Sequence, residues 1–189
     1  MTKASEADAT AGRWVERVLH FWFEELQPGA WFVKNASVDA LVRERFLTLY
    51  ECIAAMRPSE PADARECVAA VIVLDQFPRN MFRGSPRAYA TDAQALAIAE
   101  HAIRAGLDVV SSAQQRMFLY MPFQHSEDVA IQARSVGLFE QLGLPEALDY
   151  ARQHCDVIER FGRFPHRNAV LGRTTTAEEA RFLATHPGF

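Results

Sequence analysis

The sequence has 189 residues, of which 49% are hydrophobic, and its formal net charge at pH 7 is −4. A half-apolar chain of this length can form one domain with a substantial core but is short for two domains. The negative charge excludes general nucleic-acid binding, which needs a basic surface, and three widely separated cysteines outside any Cys-x-x-Cys spacing predict neither a disulfide framework nor a zinc site.

The N-terminal residues are small and polar, so we expect a disordered tail over 1–12 and a single helical domain over 13–189. The longest uncharged apolar run, Cys67 to Leu74, is far too short to cross a bilayer. Together with the cysteine usage, these features predict a cytoplasmic protein that has no membrane anchor.

Hydrophobic periodicity predicts helices along almost the whole chain. Ser37 is expected to cap the second helix, and Pro61 is expected in the first turn of the third. The third helix is apolar nearly all round, which is typical of a buried central helix. We expect it to end at Phe77 and Pro78, because proline disfavours helical geometry in the residue before it.

Capping patterns predict where the later helices begin and end. Thr91 with Gln94 three residues on is a capping-box pattern that opens an alanine-rich helix. The remaining expected helices are a fifth from Ser111 or Ser112 to a break near Pro122, a sixth from about Ser126 to Leu142, a seventh from Pro145 to Gly162, and a short final helix capped by Thr175 with Glu178.

The predicted fold class is all-α, because no segment has the alternating pattern of a strand bounded by hairpin turns. Short connections predict antiparallel helix pairs, about eight helices in all. The alanine-rich helix resembles the second helix of a tetratricopeptide unit, which favours a tetratricopeptide-like right-handed array. No clean repeat of roughly 34 residues is present, so any such repeat is degenerate.

One short string occurs twice: FPRN at 77–80 returns as FPHRN at 164–168. We name these the FPRN segment and the FPHRN segment. Each follows a helical stretch, so both are expected on helix-ending turns that direct polar side chains outward. The arginines in or beside the two segments are Arg79, Arg83, Arg87, Arg160, Arg163, Arg167 and Arg173.

Three longer strings occur in order along the chain: VLDQFPRNMFR at 73–83, FLYMPFQHSE at 118–127 and RFGRFPHRNAVLGR at 160–173. With Phe-Trp-Phe at 21–23 and the segment from Trp31 to Phe46, they resemble the bacterial family called domain of unknown function 924. The resemblance covers nearly the whole chain. It implies an all-helical, tetratricopeptide-like fold of a soluble bacterial protein, and it implies no established activity.

Asp75 is a candidate because it precedes the FPRN segment at an expected helix C-terminus, where the helix dipole disfavours a carboxylate. Arg79 and Arg83 are close in sequence, and a guanidinium binds carboxylates in bidentate geometry. We therefore expect ion pairs that tie the segment to the helix. Asp92, next to Thr91, is explained as a favourable acid at a helix N-terminus.

His125, Ser126 and Glu127 form a second candidate group. Ser126 can cap the sixth helix while Glu127 complements the positive end of that helix. His125 is not explained by capping, and an imidazole beside a carboxylate can act as a general acid or base. His166 stands in the FPHRN segment among polar residues. No histidine pair has the His-Glu-x-x-His spacing, so neither a metal nor another cofactor is predicted.

Three hypotheses remain open for these residues, and the likeness of the two segments suggests that the segments meet in space. They form a structural network, with a protein-interaction role; or they bind an anionic small molecule or acidic peptide; or they belong to a metal-free enzyme using acid–base chemistry. The candidate binding residues are Asp75, Arg79, Asn80, Arg83, His125, Glu127, Arg163, His166, Arg167 and Asn168, and the candidate catalytic residues are His125 and His166.

Overall fold

The structure is a computed structural model that describes residues 13–56, 61–186 and 188. The expected tail over 1–12 lies outside the described residues. Across the described ranges the regular structure is entirely helical, without a strand, which confirms the all-α prediction. No helix in these ranges is long and apolar enough to span a membrane.

Helix α1 covers 13–20 of the described residues and runs into a π-helical turn at Phe21–Glu25. The other helices are α2 (Ala36–Ala55), α3 (Ala64–Val71), α4 (Phe77–Met81), α5 (Asp92–Arg104), α6 (Ala113–Gln124), α7 (Val129–Leu142), α8 (Pro145–Phe161) and α9 (Ala177–Leu183). A π-helical turn at Ile72–Gln76 joins α3 to α4. Counted as one helix, α3 and α4 bring the described total to eight, as predicted.

Small side chains bring the central helices together. Ala95, Ala99 and Ala102 of α5 are fully buried against α3 and α6, so α3 can approach α5 closely. Successive helices α5 to α8 also pack on one another, and their short connections make neighbours antiparallel. This packing is compatible with the tetratricopeptide-like arrangement that the sequence predicts.

Aromatic rings fill the other half of the core. Phe46 and Phe77 lie with their ring centroids 4.7 Å apart, and Trp22 contacts both Phe77 and Phe118 in edge-to-face geometry. All four side chains are at most 2% exposed. Burial of aromatic rings of this size is a major source of stability, and here it fixes the start of α4 against α2 and against the π-helical turn after α1, which also packs on α6.

The third helix does not end at Phe77 and Pro78, and that prediction is wrong. Phe77 donates to the carbonyl five residues back, so the hydrogen-bond register widens just before the proline. Proline has no N–H, and in a helix its ring displaces the carbonyl four residues earlier, which here is Leu74. That carbonyl instead accepts from the Thr91 hydroxyl at 2.6 Å. The FPRN segment is therefore helical rather than a turn.

The capping box predicted for Thr91 and Gln94 is also wrong. The Thr91 hydroxyl donates to Leu74 and makes no side-chain cap of α5. The Gln94 side chain turns away and donates to the Ala54 carbonyl at 3.1 Å. A buried carbonyl without a partner is costly, so the demand created by the proline outweighs the local capping preference.

Other helix ends differ from the predictions by a few residues. Asn35 rather than Ser37 caps α2, and α3 begins beyond Pro61 with Asp63 as its cap. Ser112 with Gln115 forms the capping box of α6, so the helix begins at the second of the two predicted positions, Ser111 and Ser112. Pro122 lies inside α6 rather than ending it, Asp128 caps α7 in place of Ser126, and Thr176 with Glu179 replaces Thr175 with Glu178 at α9.

Candidate functional site

A cavity of about 420 Å³ opens where the turn at Pro86–Tyr89, the start of α5, the end of α6 and the chain around the FPHRN segment meet. Its apolar lining includes Leu96, Pro122 and Leu171. Its polar lining consists of Tyr89, Asp92, His125, Ser126, Glu127, Arg167 and Arg173. Apolar walls with a few convergent polar groups are typical of a small-molecule site.

The FPRN and FPHRN segments meet at Asp92. Arg79 donates to both carboxylate oxygens of Asp92, at 2.8 and 3.0 Å, and Arg167 donates to Oδ2 of the same carboxylate at 3.4 Å. Both guanidiniums lie over the Tyr89 ring, at 5.6 Å for Arg79 and 4.6 Å for Arg167. The structure thus brings one arginine from each segment to a common acid and a common aromatic ring.

Arg167 is buried with few partners. Its residue is 6% exposed, and among the described residues its side chain makes one hydrogen bond, the long one to Asp92. Its Nε finds no acceptor within the described part of the chain. Burial lowers the pKa of this guanidinium, and the neighbouring charge of Arg79 lowers it further. Arg167 is therefore a buried cation whose capacity to donate hydrogen bonds is largely unused.

Asp75 is fully buried in the π-helical turn and holds the imidazole of His125. The carboxylate lies 2.8 Å from His125 Nδ1 through Oδ1 and accepts from Gln76 through Oδ2. Arg79 Nη1 is 3.2 Å from the same Oδ1. Burial raises the pKa of Asp75, but the charge of Arg79 and the hydrogen bonds from His125 and Gln76 outweigh burial and hold the pKa at about 2. Asp75 is therefore an acceptor, not a donor.

His125 must then carry its hydrogen on Nδ1, because the Asp75 carboxylate can only accept. Burial lowers the pKa of His125, and the positive charge of Arg79 lowers it further, against the opposing effect of Asp75. The imidazole is accordingly neutral at pH 7, with an unprotonated Nε2. Because His125 lines the cavity at the end of α6, this arrangement provides an oriented base.

The main chain on either side of His125 is fixed from α7. The Gln132 amide donates to the carbonyls of Gln124 and Ser126, at 2.7 and 2.6 Å. Gln132 is fully buried, so these bonds are shielded from water. They hold the residue before and the residue after His125, and therefore fix the main chain that carries the imidazole.

Glu127 connects the end of α6 to the FPHRN segment instead of complementing a helix end. Its Oε1 accepts from the Phe164 backbone N–H at 2.9 Å, and both of its oxygens accept from Arg173, at 3.0 and 2.9 Å. The helix that follows is capped by Asp128. Glu127 thus lines the cavity with its charge already paired.

Asn80 and Arg83 lie away from the cavity, against Asp39 of α2. The Asn80 amide donates to Asp39 at 2.8 Å, and Arg83 donates to both carboxylate oxygens at 2.5 and 2.9 Å. The expected pairing of Arg83 with Asp75 is therefore wrong, because Asp39 offers Arg83 a bidentate partner. Asp39 ties α4 to α2.

Arg163 and Asn168 also face structural partners. Arg163 donates to both carboxylate oxygens of Glu179 at 2.7 and 3.1 Å, which joins the end of α8 to α9. Asn168 is fully buried, and its amide lies 3.5 Å from the Thr175 hydroxyl. His166 packs 5.6 Å from the Phe164 ring, and burial together with Arg167 lowers its pKa to about 4.

Two residues central to the cavity, Asp92 and Tyr89, are not among the candidate site residues that the sequence predicts. The position of Asp92 in the first turn of α5 is a sufficient local explanation for an acid, and the sequence does not indicate its two arginine partners. Tyr89 has no accompanying motif, since it stands between Ala88 and Ala90 shortly before the start of α5. Arg173 was noted only as a member of the arginine group.

The donors in the cavity suit anions more than metal ions. Within the described ranges, no cluster of three or more His, Cys, Asp or Glu side chains is arranged to hold a metal ion. Guanidinium groups match the planar oxygens of carboxylates and phosphates.

The family model for bacterial proteins of unknown function called DUF924 matches residues 18–187. A solved structure, titled as that of the protein of unknown function ATU0120 from Agrobacterium tumefaciens, is 40% identical, and the match covers 93% of this chain and 99% of that one with a TM-score of 0.88. No curated protein matches the chain. The match extends from α1 to beyond α9, so the chain belongs to the DUF924 family of bacterial proteins.

Proposed function

We propose that the protein binds a small anionic molecule in the cavity, with the guanidinium of Arg167 as the anchor. The observation that carries this proposal is the poor pairing of a buried cation. Arg167 is 6% exposed, and among the residues that the structure describes its Nε has no acceptor and its one hydrogen bond, 3.4 Å long, goes to an oxygen that already accepts from Arg79.

A buried guanidinium with few protein acceptors is energetically unfavourable. A carboxylate or phosphate group in the cavity would supply acceptors, and each hydrogen bond to a charged group contributes about 1.5–3 kcal/mol. The Arg167 side chain also lies over the rings of Tyr89 and Phe164, at 4.6 and 4.5 Å, which hold the guanidinium plane in place.

The charges around the cavity favour an anion. Asp92 is paired with Arg79 in bidentate geometry, and Glu127 is paired with Arg173, so both lining carboxylates are already compensated. Arg167 is the lining cation with the weakest pairing. An incoming anion therefore meets a site that lacks an excess of negative charge.

The size of the cavity favours a small molecule over a long peptide. A volume of about 420 Å³ lies within the range of roughly 300–1,000 Å³ that is common for metabolite and cofactor sites. Leu96 and Leu171 contribute apolar wall, so a short carbon skeleton with one or two acidic groups fits this lining. An acidic peptide offers the same carboxylate chemistry, and the test below distinguishes the two sources.

The test measures thermal shifts and calorimetric binding with succinate, inorganic phosphate and a triglutamate peptide. Wild-type protein is compared with Arg167→Gln, and with Arg83→Gln as a matched control, since Arg83 pairs with Asp39 outside the cavity. We expect succinate or phosphate to bind wild type and Arg83→Gln, and binding to fall at least tenfold in Arg167→Gln.

Two results contradict the proposal. Equal binding by a folded Arg167→Gln variant would show that Arg167 does not anchor the anion. No binding of any of the three probes to wild type would favour a purely structural network, as the contacts of Asn80, Arg83 and Arg163 already illustrate outside the cavity. Binding of the peptide but neither small anion would change the ligand class to an acidic peptide.

A further inference from the structure

We propose that the same cavity is an active site, in which His125 Nε2 removes a proton from the carbon next to the keto group of a bound 2-oxo carboxylate. This inference rests on the proposed anion binding and adds a substrate class and a reaction to it. His125 is the catalytic residue, Asp75 is a positioning residue, and Arg167 holds the substrate oxygens.

The geometry of Asp75 and His125 carries the argument. A fully buried carboxylate lies 2.8 Å from Nδ1 of an imidazole whose side chain is 11% exposed. The second carboxylate oxygen accepts from Gln76, so the carboxylate cannot rotate freely. An ionised acid in this position fixes the Nδ1–H tautomer and stabilises the imidazolium that forms when Nε2 takes a proton.

A structural role explains this arrangement less well. A buried ionised carboxylate is costly, and Arg79 alone could neutralise Asp75, since its Nη1 lies 3.2 Å from Oδ1 and 2.6 Å from the Asp75 carbonyl oxygen. The added imidazole is not needed for charge balance. It is, however, the group that connects this buried acid to the cavity wall.

Arg79 also explains why His125 stays a base beside an acid. A carboxylate alone raises the pKa of a neighbouring histidine, but burial and the Arg79 charge act in the opposite direction and the net change in the pKa of His125 is downward. The imidazole is therefore unprotonated at neutral pH and can accept a proton. Arg79 also donates to Asp92, and Asp92 accepts from Arg167. Asp92 therefore connects the arginine beside His125 to Arg167.

Arg167 supplies the second requirement of the reaction, a cation beside the developing negative charge. The carboxylate and keto oxygens of a 2-oxo acid lie in one plane and can both accept from one planar guanidinium. When the carbon–hydrogen bond breaks, its electron pair forms the carbon–carbon double bond of an enolate, and the charge moves to the keto oxygen. A fixed cation at that oxygen stabilises the transition state more than the ground state.

The proton balance of the step is complete without an oxidant or reductant. The proton leaves carbon for His125 Nε2, the enolate carries the electron pair, and Asp75 compensates the imidazolium charge. Reversal returns a proton to carbon. In heavy water the imidazolium exchanges its proton for a deuteron, so the bound acid gains deuterium at that carbon. This exchange requires the base and the cation, both of which line the cavity.

One test examines the base without a ligand. Nitrogen NMR of 15N-histidine-labelled protein at pH 7 is expected to show His125 neutral, with Nδ1 protonated and Nε2 unprotonated. The Asp75→Asn variant, if folded, is expected to lose this tautomer preference, a spectroscopic change that a purely structural contact elsewhere would not cause. An imidazolium, or a hydrogen on Nε2, in the wild-type protein would overturn the proposal.

The decisive test follows deuterium exchange by proton NMR, with 2-oxobutanoate and 2-oxoglutarate in heavy water, beside calorimetric binding of the same compounds. Wild type and the Arg83→Gln control are expected to accelerate loss of the C3 proton signal. His125→Gln is expected to keep binding and lose exchange by at least about a hundredfold, the usual effect of a general base. Asp75→Asn is expected to keep binding and exchange more slowly, and Arg167→Gln is expected to lose both.

The outcomes separate the two proposals. Binding of a 2-oxo acid without exchange overturns the catalytic inference and leaves anion binding intact. Binding of succinate or phosphate but of neither 2-oxo acid overturns the substrate class. Exchange that persists in His125→Gln overturns the role of His125. Failure of all these anions to bind wild-type protein overturns anion binding and, with it, this inference.

Discussion

Arg79 and Arg167 donate to the same oxygen of Asp92, at 3.0 and 3.4 Å. Each arginine belongs to one copy of the repeated string, so this oxygen is the point at which the two segments meet. The sharing is unequal. Arg79 holds both oxygens of Asp92 and also contacts Asp75, whereas Arg167 has the longer single bond.

This inequality predicts different costs for removing each arginine. Arg79→Met leaves Asp75 and Asp92 without their main cation, and removal of one partner from a buried ion pair costs about 3–5 kcal/mol. Arg167→Met retains the packing on Tyr89 and Phe164 and removes a poorly paired charge, so we expect a loss below about 1 kcal/mol.

Urea unfolding of both variants at pH 7 measures these free energies. An equal and large loss in both variants would mean that Arg167 is a structural ion-pair partner, which would also weaken the case for an anion anchor. A loss only in Arg167→Met would reverse the assignment of the two arginines.

Thr91 provides a test of how the chain accommodates Pro78. Its hydroxyl donates to the Leu74 carbonyl, whose usual helical donor would be the N–H that Pro78 lacks. Thr91→Val keeps the shape of the side chain but leaves that carbonyl unpaired in a buried place, so we expect a loss of about 1–3 kcal/mol. Thr91→Ser keeps the hydroxyl and should lose clearly less. Similar losses for the two variants in urea unfolding would contradict this role.

The start of α9 allows a comparison of two neighbouring threonines. Thr176 accepts from the Glu179 backbone N–H at 3.2 Å, and the Glu179 carboxylate accepts from the Thr176 N–H at 2.7 Å. Thr176→Ala should therefore cost about 1 kcal/mol, the usual value of an N-cap. Thr175→Ala should cost less, since its hydroxyl has only a 3.5 Å contact with Asn168. Thermal unfolding of both variants checks the order.

Much of the fold could be predicted because helix periodicity and the absence of strand patterns are local signals. The errors arose where a distant group changed a local preference. Thr91 and Pro78 illustrate this, because neither residue alone indicates that one supplies the hydrogen bond which the other removes. The one-residue error at α9 arose because three successive threonines precede two glutamates, so the pattern fits two registers.

Only part of the candidate site could be predicted, because distant groups decide which partner each side chain contacts. Repetition of the string places Arg79 and Arg167 among the candidates, and both contact Asp92, but it could not separate residues that face the cavity from those that face other helices. Asn80 follows Arg79 directly, yet its amide contacts Asp39. Only the helical geometry of the FPRN segment, which the sequence did not predict, directs adjacent side chains to different partners.

Acid should destabilise the protein through its buried histidines. Burial lowers the pKa of His154 from 6.5 to about 3 in the folded protein, and the ring is 6% exposed with Nδ1 2.7 Å from the Tyr150 carbonyl oxygen. Between pH 6.5 and about pH 3, His154 therefore binds a proton in the unfolded chain but not in the native state. The free energy of unfolding therefore falls as pH falls below about 6.5, by about 1.4 kcal/mol per pH unit for each such histidine.

His154→Gln removes one of these protons. His166, with a pKa of about 4, contributes in the same direction between about pH 6.5 and pH 4. We expect urea unfolding between pH 6 and pH 4.5 to show a slope that is smaller by about 1.4 kcal/mol per pH unit in His154→Gln than in wild type, and smaller again in the double variant with His166→Gln. If the single variant keeps the wild-type slope, His154 is protonated in the folded state at these pH values. Its burial beside Phe164 would then be stabilised by an acceptor strong enough to hold an imidazolium.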